Sequence, residues 1–424
     1  MWTAASKNCV RYEVVVEGEV VKVRVSTSRP RHGRDPHEPH RVSTPLELLF
    51  DLSFVVAIAL AAAQLHHGEA NHHWSAVPQY LAAFFGIWWA WMNYTWFASA
   101  YDTDDTLFRL LTMAQMFGVL VFAVGVEGFF SGDFRAAVLG YALMRLALVT
   151  QWLLAARDDA LRRRTCLRYA VGILALQLLW GLRLVIPQAW LWPSFVLLVG
   201  LELLVPVWAE RAGGTPWHPH HIAERYGLMV IITLGECVLG AANAVANLWR
   251  TGGWAPDLAL VGLGSMLLVL CVWWIYSLLP SGDLLHHHRE RAFVWGYWHY
   301  VVFAAIAAMG AGLEVVADTL AAPVSSGGTG GHAVTPLLAM GTVAVPLTVV
   351  LVALWGLQWH GTRLVRNPGR ATLAGLGGVA LAVAAIAVGL SLPWGVVLLS
   401  AAMALAIVFQ ETGDQGPGVT ATTN

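Results

Sequence analysis

From Pro45 onward the chain is a succession of about twelve apolar stretches, each close to the ~20 residues that an α-helix needs to cross a bilayer. They fall near 46–65, 77–98, 107–128, 134–155, 165–186, 190–209, 222–245, 257–279, 291–315, 334–358, 371–390 and 393–410. In lipid, every backbone N–H and C=O has to be satisfied within the protein, so apolar runs of this length become helices. Composition agrees: 57% of the residues are hydrophobic, only 12% are charged, and the mean hydropathy is +0.61. A water-soluble chain is about 45–50% apolar and about 25% charged. The expected fold is an all-α polytopic membrane protein.

The flanks differ from this core. "YEVVVEGEVVKVRVS" alternates apolar and charged residues around Gly18, which predicts a short β-hairpin-like leader. "RPRHGRDPHEPH" after it is expected to be disordered, as is the tail "ETGDQGPGVTATTN". The first 26 residues hold no apolar core of a secretory signal. Cys9, Cys166, Cys237 and Cys271 are scattered singly, which supports neither a disulfide framework nor a metal site.

With a cytoplasmic N-terminus, the basic residues before Pro45, "RDDALRRRTCLR" and "TRLVRNPGR" all fall on the inner side, together with Arg109, Arg211, Arg225, Arg289 and Arg291. Only Arg135 and Arg250 then face outward. The positive-inside rule accordingly places both termini on the cytoplasmic side of the membrane.

The two parts of the core resemble each other. "IWWAWMNY" in the second span matches "VWWIYS" in the eighth, and "QWLLAARDDALRRR" after the fourth matches "QWHGTRLVRNPGR" after the tenth. Arg109 and Glu127 bracket the third span as Arg291 and Glu314 bracket the ninth; Glu47 opens the first as Glu224 opens the seventh. The predicted organisation is a basic leader (1–40), two parallel six-helix repeats (41–212 and 213–410) and a tail (411–424). Parallel repeats are common in transporters, with sites at the interface of the halves.

Polar groups inside the spans are the candidates for chemistry. Asp51 lies one turn beyond Glu47 on the same helix face, and a carboxylate at a helix centre costs roughly 3 kcal/mol to insert. Glu47 is tolerable at a helix start, where the macrodipole favours an anion. In "HPHHIAERYGLMVIITLGE", Glu224 has Arg225 beside it, and Glu236 falls near the bilayer centre. Arg145, mid-span, requires an anionic partner, for which Asp51, Glu202 and Glu236 are open. Arg183, near an outer helix end, is expected to snorkel. His299 has the intrinsic pKa of a proton carrier, although a lone buried histidine more commonly packs.

Several other groups carry weaker signals. His66, His67, His72, His73, His218, His220, His221, His286, His287 and His288 are expected in loops, and no zinc spacing is present. The pairs Trp88–Trp89 and Trp273–Trp274 suit core packing or stacking on a ligand. Asp102, Asp104 and Asp105 suit a solvated loop with a helix N-cap, or else a metal–diphosphate site.

"DPHEPHRVSTPLELLFDLSFVVAIAL" and "HHIAERYGLMVIITLGE" resemble the two signature regions of the bacterial low temperature requirement protein A (LtrA) family. The matching positions are Thr44, Pro45, Glu47, Phe50, Asp51, His221, Glu224, Arg225, Gly227, Gly235 and Glu236. The resemblance implies a multi-pass membrane protein over about residues 35–410. The family name refers to growth at low temperature and implies no reaction.

The expected function is secondary transport, coupled to protons or another cation. Asp51, Glu236, Arg145 and His299 are the substrate- or ion-coupling candidates, and Glu47, His221, Glu224 and Arg225 the gate or structural polar residues. The alternatives are a non-transporting sensor or scaffold and a membrane-embedded enzyme acting on a lipid. The expected partners are the bilayer and a small molecule or ion, with no nucleic acid, cofactor or metal.

Overall fold

The computed structural model describes residues 9–16, 19–26, 29–39, 41–252, 256–321, 334–361 and 368–414. The apolar runs form α1 (Pro45–Ala70), α2 (Ala76–Tyr101), α3 (Thr106–Ser131), α4 (Arg135–Asp158), α5 (Arg163–Leu182) and α6 (Leu191–Glu210). They continue as α7 (Pro219–Gly252), α8 (Pro256–Ser277), the seven-residue α9 (Ser281–His287), α10 (Ala292–Ala321), α11 (Pro336–Gly361), α12 (Pro368–Ala387) and α13 (Leu392–Asp414). Among the described residues, eleven helical segments are long and apolar enough to cross a membrane, so the protein is polytopic. About twelve were expected. The difference is α2, whose 26 residues rise about 39 Å but whose tryptophans, tyrosines and Asn93 lower its hydropathy. Trp89, Trp91, Tyr94 and Tyr101 of this helix are fully buried.

Before the helices, β1 (Cys9–Val16) and β2 (Glu19–Ser26) pair antiparallel, with Cys9 opposite Ser26 and Val16 opposite Glu19. The turn expected at Gly18 and residues 415–424 of the tail lie outside the described residues, whereas residues 411–414, expected to be disordered, continue α13.

The helices group into two compact units, residues 1–57 with 86–222 and residues 58–85 with 223–424. In the first, α3 packs on α4, α4 on α5 and α5 on α6. The α3–α4 pair is a backbone-to-backbone contact. A Cβ on Gly140 would collide with the Phe122 backbone, and one on Gly125 with the Ala137 backbone, so glycine alone permits this approach. Gln115 donates to Gln151 at 2.9 Å across the same seam. The Trp152 and Tyr169 rings stack at 4.2 Å between α4 and α5.

The segment 29–39, expected to be disordered, is instead tied down at one end of this unit. Arg31 is fully buried; its Nη2 lies 3.5 Å from Asp105 and its amide donates to Asp158 at 3.1 Å. The Arg29 amide donates to Asp105 at 2.7 Å and the Arg34 amide to the Ala100 carbonyl at 2.9 Å. A polar composition predicted disorder, but carboxylates at the ends of α3 and α4 supply the partners that order the segment. Asp105 is also the N-cap of α3, accepting the Phe108 amide at 2.8 Å. The expected N-cap is thus present. Asp102 and Asp105 are buried, however, and only Asp104 is solvated, paired with Arg109 at 2.8 Å.

In the second unit, α10 packs on α11, α11 on α12, α12 on α13 and α13 on α8. The helix α10 is central: 78% of its span is buried, more than in any other candidate span. Gly312 abuts the Thr342 backbone on α11, and Trp298 donates to the Ala353 carbonyl at 2.7 Å. Ser400 of α13 donates to the Gly264 carbonyl of α8 at 2.6 Å.

Candidate functional site

The N-terminus of α1 is built by a capping box, Thr44-Pro45-Leu46-Glu47. The Thr44 amide donates to Glu47 Oε2 at 2.7 Å, and the Glu47 amide donates to Thr44 Oγ1 at 3.3 Å. Pro45 takes the first helical position, where a missing N–H leaves nothing unpaired. Glu47 Oε1 then faces Arg41 Nη2 at 3.5 Å and His221 Nε2 at 3.2 Å. Arg41 also donates to the Ala98 carbonyl at 3.1 Å and stands 3.9 Å from Asp102. All four of these charged or titratable groups are buried.

His221 reaches this point because His218 caps the start of α7. His218 Nδ1 accepts the His221 amide at 3.2 Å, while its Nε2–H donates to the Glu38 carbonyl at 2.8 Å. Its own amide donates to Ser99 Oγ at 3.0 Å. Burial lowers the His218 pKa, which keeps the ring in the neutral form that this capping geometry requires.

Asp102, just past the end of α2, is pushed up to about 6, first by burial and then by Glu47, with Arg41 opposing. Its folded pKa therefore lies above the ordinary 3.8, so the native state binds the extra proton and stability falls as pH rises between these values. Asp102→Asn is expected to remove that loss, on the order of 3 kcal/mol. Thermal melts of both proteins between pH 4 and 7 would show wild type losing ground to the variant as pH rises; parallel curves would refute it.

Asp51, one turn beyond Glu47, is buried and accepts the Trp91 indole N–H at 2.7 Å. Of the three partners open to Arg145, the structure selects Glu202. Arg145 Nη2 donates to Glu202 Oε2 at 2.8 Å, with both side chains out of solvent contact. The same carboxylate accepts Trp89 Nε1 at 2.8 Å, Tyr141 Oη at 3.0 Å and Trp180 Nε1 at 3.1 Å. Four donors from α2, α4 and α5 converge on one residue of α6. Trp88 and Trp89 are accordingly core residues, whereas Trp273 and Trp274 are exposed on the outer face of α8 rather than packed inside. Arg183 does not snorkel. It is buried, donates to the Leu191 carbonyl at 2.9 Å and lies over the Trp180, Phe134 and Phe195 rings.

The second unit holds the remaining candidates. Glu236 is buried midway along α7. Two further residues of its helix face, Gly240 and Asn243, meet Glu314 of α10. A Cβ on Gly240 would lie 3.4 Å from the Glu314 side chain, and Asn243 donates to Glu314 at 2.8 Å. His66 adds to this group, with Nε2 at 2.8 Å from Asp318 and Nδ1 at 3.5 Å from Glu314. His299 is enclosed by Tyr226, Tyr276, Trp295 and Phe303. Its Nδ1–H donates to the Trp295 carbonyl at 2.8 Å, which leaves Nε2 to accept the Tyr276 hydroxyl at 3.2 Å. Arg225 is buried and Glu224 is exposed.

Three residues important to these groups were not anticipated. Arg41 and Asp318 gave no periodic signal. His66 was expected in a loop because α1 was expected to end at 65, but the helix runs to Ala70. His221 likewise lies in α7 rather than in a loop. Among the described residues, no group of three or more His, Cys, Asp or Glu side chains is arranged to hold a metal ion.

Comparison with known sequences gives two matches. Residues 42–409 match the sequence model of the bacterial low temperature requirement A protein (LtrA). A stretch of 255 residues is 27% identical to a curated protein of Rhizobium meliloti (strain 1021), described as uncharacterized protein RA0937; it covers 58% of this chain and 59% of that protein.

Proposed function

Because the chain belongs to the bacterial low temperature requirement A family and is a polytopic membrane protein, we propose that it is a secondary transporter, coupled to protons or another cation, for a small-molecule or ionic substrate. The observation that carries this reading is the polar group of the second unit. Glu314 and Asp318 of α10 share His66 of α1, and Glu236 lies on the face of α7 that Glu314 meets. A buried carboxylate midway along an apolar helix, such as Glu236, is expensive, and such groups characterise proton and cation pathways.

Asp51 and Glu236 are the coupling carboxylates in this proposal. Arg145, bonded to Glu202, ties α4 to α6, and His299, with both ring nitrogens engaged, ties α10 to α8. Glu47 with Arg41 and His221 forms the gate at the start of α1, and Glu224 and Arg225 follow on α7. The matching packing order supports duplication of two six-helix halves, 41–212 and 213–410: α3 to α6 in sequence, then α10 to α13 in sequence. Arginine distribution supports cytoplasmic termini in the bacterial cell membrane.

Reconstitution into liposomes with an internal pH dye tests the proposal. A panel of ions, amines and organic acids is expected to include one that drives proton flux in wild type. That flux should be lost in the Asp51→Asn/Glu236→Gln double variant. An equal flux in the double variant would reject the coupling assignment, and silence of folded wild type across the panel would reject coupled transport of these classes.

A further inference from the structure

Next to the polar group lies a cavity of about 560 Å³ formed within the second unit by α1, α2, α10 and α11. Its wall is almost wholly apolar. On α11, Leu338, Gly341, Val345 and Val349 line it at helical spacing, a face that runs ~16 Å along the helix axis. Gly341 contributes open space, since a Cβ there would meet nothing within 4 Å. The hydroxyls at the wall are already committed: Tyr80 donates to the Ala304 carbonyl and Tyr300 to the Leu81 carbonyl, each at 2.7 Å.

One polar group remains. Glu69, in the last turn of α1, lines the cavity and is only 7% exposed, and its Oε2 has no hydrogen-bond partner among the described residues. A buried carboxylate oxygen with nothing to accept is costly, and it persists where a ligand completes it. Its surroundings determine the charge of that ligand. The nearest cationic group, His66, lies one turn back on α1 and is engaged by Asp318 and Glu314. Glu69, Glu314 and Asp318 thus outnumber His66, which favours a cation over an anion beside Glu69.

We infer that this cavity binds a primary alkylamine, the ammonium received by Glu69 and the hydrocarbon chain laid along α10 and α11. Three features match this occupant: a long apolar face on α11, a single unpartnered acceptor in the last turn of α1, and more acidic than basic side chains near it. An alcohol of the same length would fill the groove but bring no charge; a fatty acid would be repelled. This inference concerns binding and stands whether or not the protein transports.

The experiment uses full-length protein in phosphatidylcholine nanodiscs, with dodecylamine as probe and dodecanol and dodecanoate as comparisons. Binding is read from isothermal titration calorimetry and from the thermal midpoint. Dodecylamine is expected to bind wild type most tightly and to lose about tenfold or more in Glu69→Gln, the scale of one hydrogen bond to a charged group. Dodecanol binding should be unchanged by that substitution. Gly341→Leu, whose Cβ would meet nothing within 4 Å and whose side chain would fill the groove, should abolish both. Equal affinity of amine and alcohol in wild type, or an amine affinity unaffected by Glu69→Gln, would overturn the inference and leave a nonspecific lipid groove.

Discussion

Arg145→Met is expected to destabilise the folded protein by about 3–5 kcal/mol, and adding Glu202→Gln to recover most of that loss. Arg145 and Glu202 are 1% and 0% exposed, so removing the guanidinium strands a carboxylate in a low-dielectric interior. The three neutral donors, Trp89, Tyr141 and Trp180, are too weak to replace a full positive charge. Glu202→Gln alone leaves the opposite fault, an unpaired guanidinium. In the double variant neither charge remains, and the glutamine carbonyl, with two lone pairs, still accepts from Tyr141 and Trp180. Denaturant unfolding of wild type, both single variants and the double variant in one detergent gives the coupling energy directly. The expected result is a double variant closer to wild type than either single one. Simple addition of the two losses would mean that the pair is not the anchor of α4 and α6.

That pair also illustrates what the sequence leaves undetermined. A mid-span arginine announces that an anion must be near, because an unpaired one would be too costly. It does not say which, since Glu202 lies on another helix and Asp51 and Glu236 satisfy the same requirement on paper. Partner choice depends on helix rotation and packing, which twenty apolar residues in a row do not encode. The helices themselves were legible for the opposite reason: bilayer thickness fixes their length, so α4, expected at 134–155, is found at Arg135–Asp158.

Local signals were legible where they were chemical. Thr44-x-x-Glu47 spells out a capping box, yet a reading of Glu47 through the helix dipole alone misses both hydrogen bonds. The segment 29–39 shows the limit of composition. "RPRHGRDPHEPH" has no apolar residues to bury, but Arg31 does not need any, because Asp105 and Asp158 await it at helix ends 74 and 127 residues away. The second-unit cluster was obscured by one boundary. Ending α1 at 65 removes His66 and Glu69 from the helix and hence from any group with α10.

Gly140→Val is expected to be the most damaging change outside the charged residues, costing about 3 kcal/mol, the upper end of overpacking penalties. The usual escape from an added methyl group is rotation of a neighbouring side chain. Here the neighbours are the Phe122 backbone and the Gly118 carbonyl, which move only if α3 and α4 separate. Separation would break the Gln115–Gln151 hydrogen bond and leave two amides unpaired within the seam. Gly200 is the matched control: it also lies inside a helix, α6, but a Cβ there meets nothing within 4 Å. Gly200→Ala should therefore be neutral or stabilising by up to ~1 kcal/mol, the gain in helix propensity. Thermal midpoints in a common detergent should move in opposite directions, or at least differ by several degrees. If Gly140→Val is tolerated as well as Gly200→Ala, the backbone contact between α3 and α4 does not hold the first unit together.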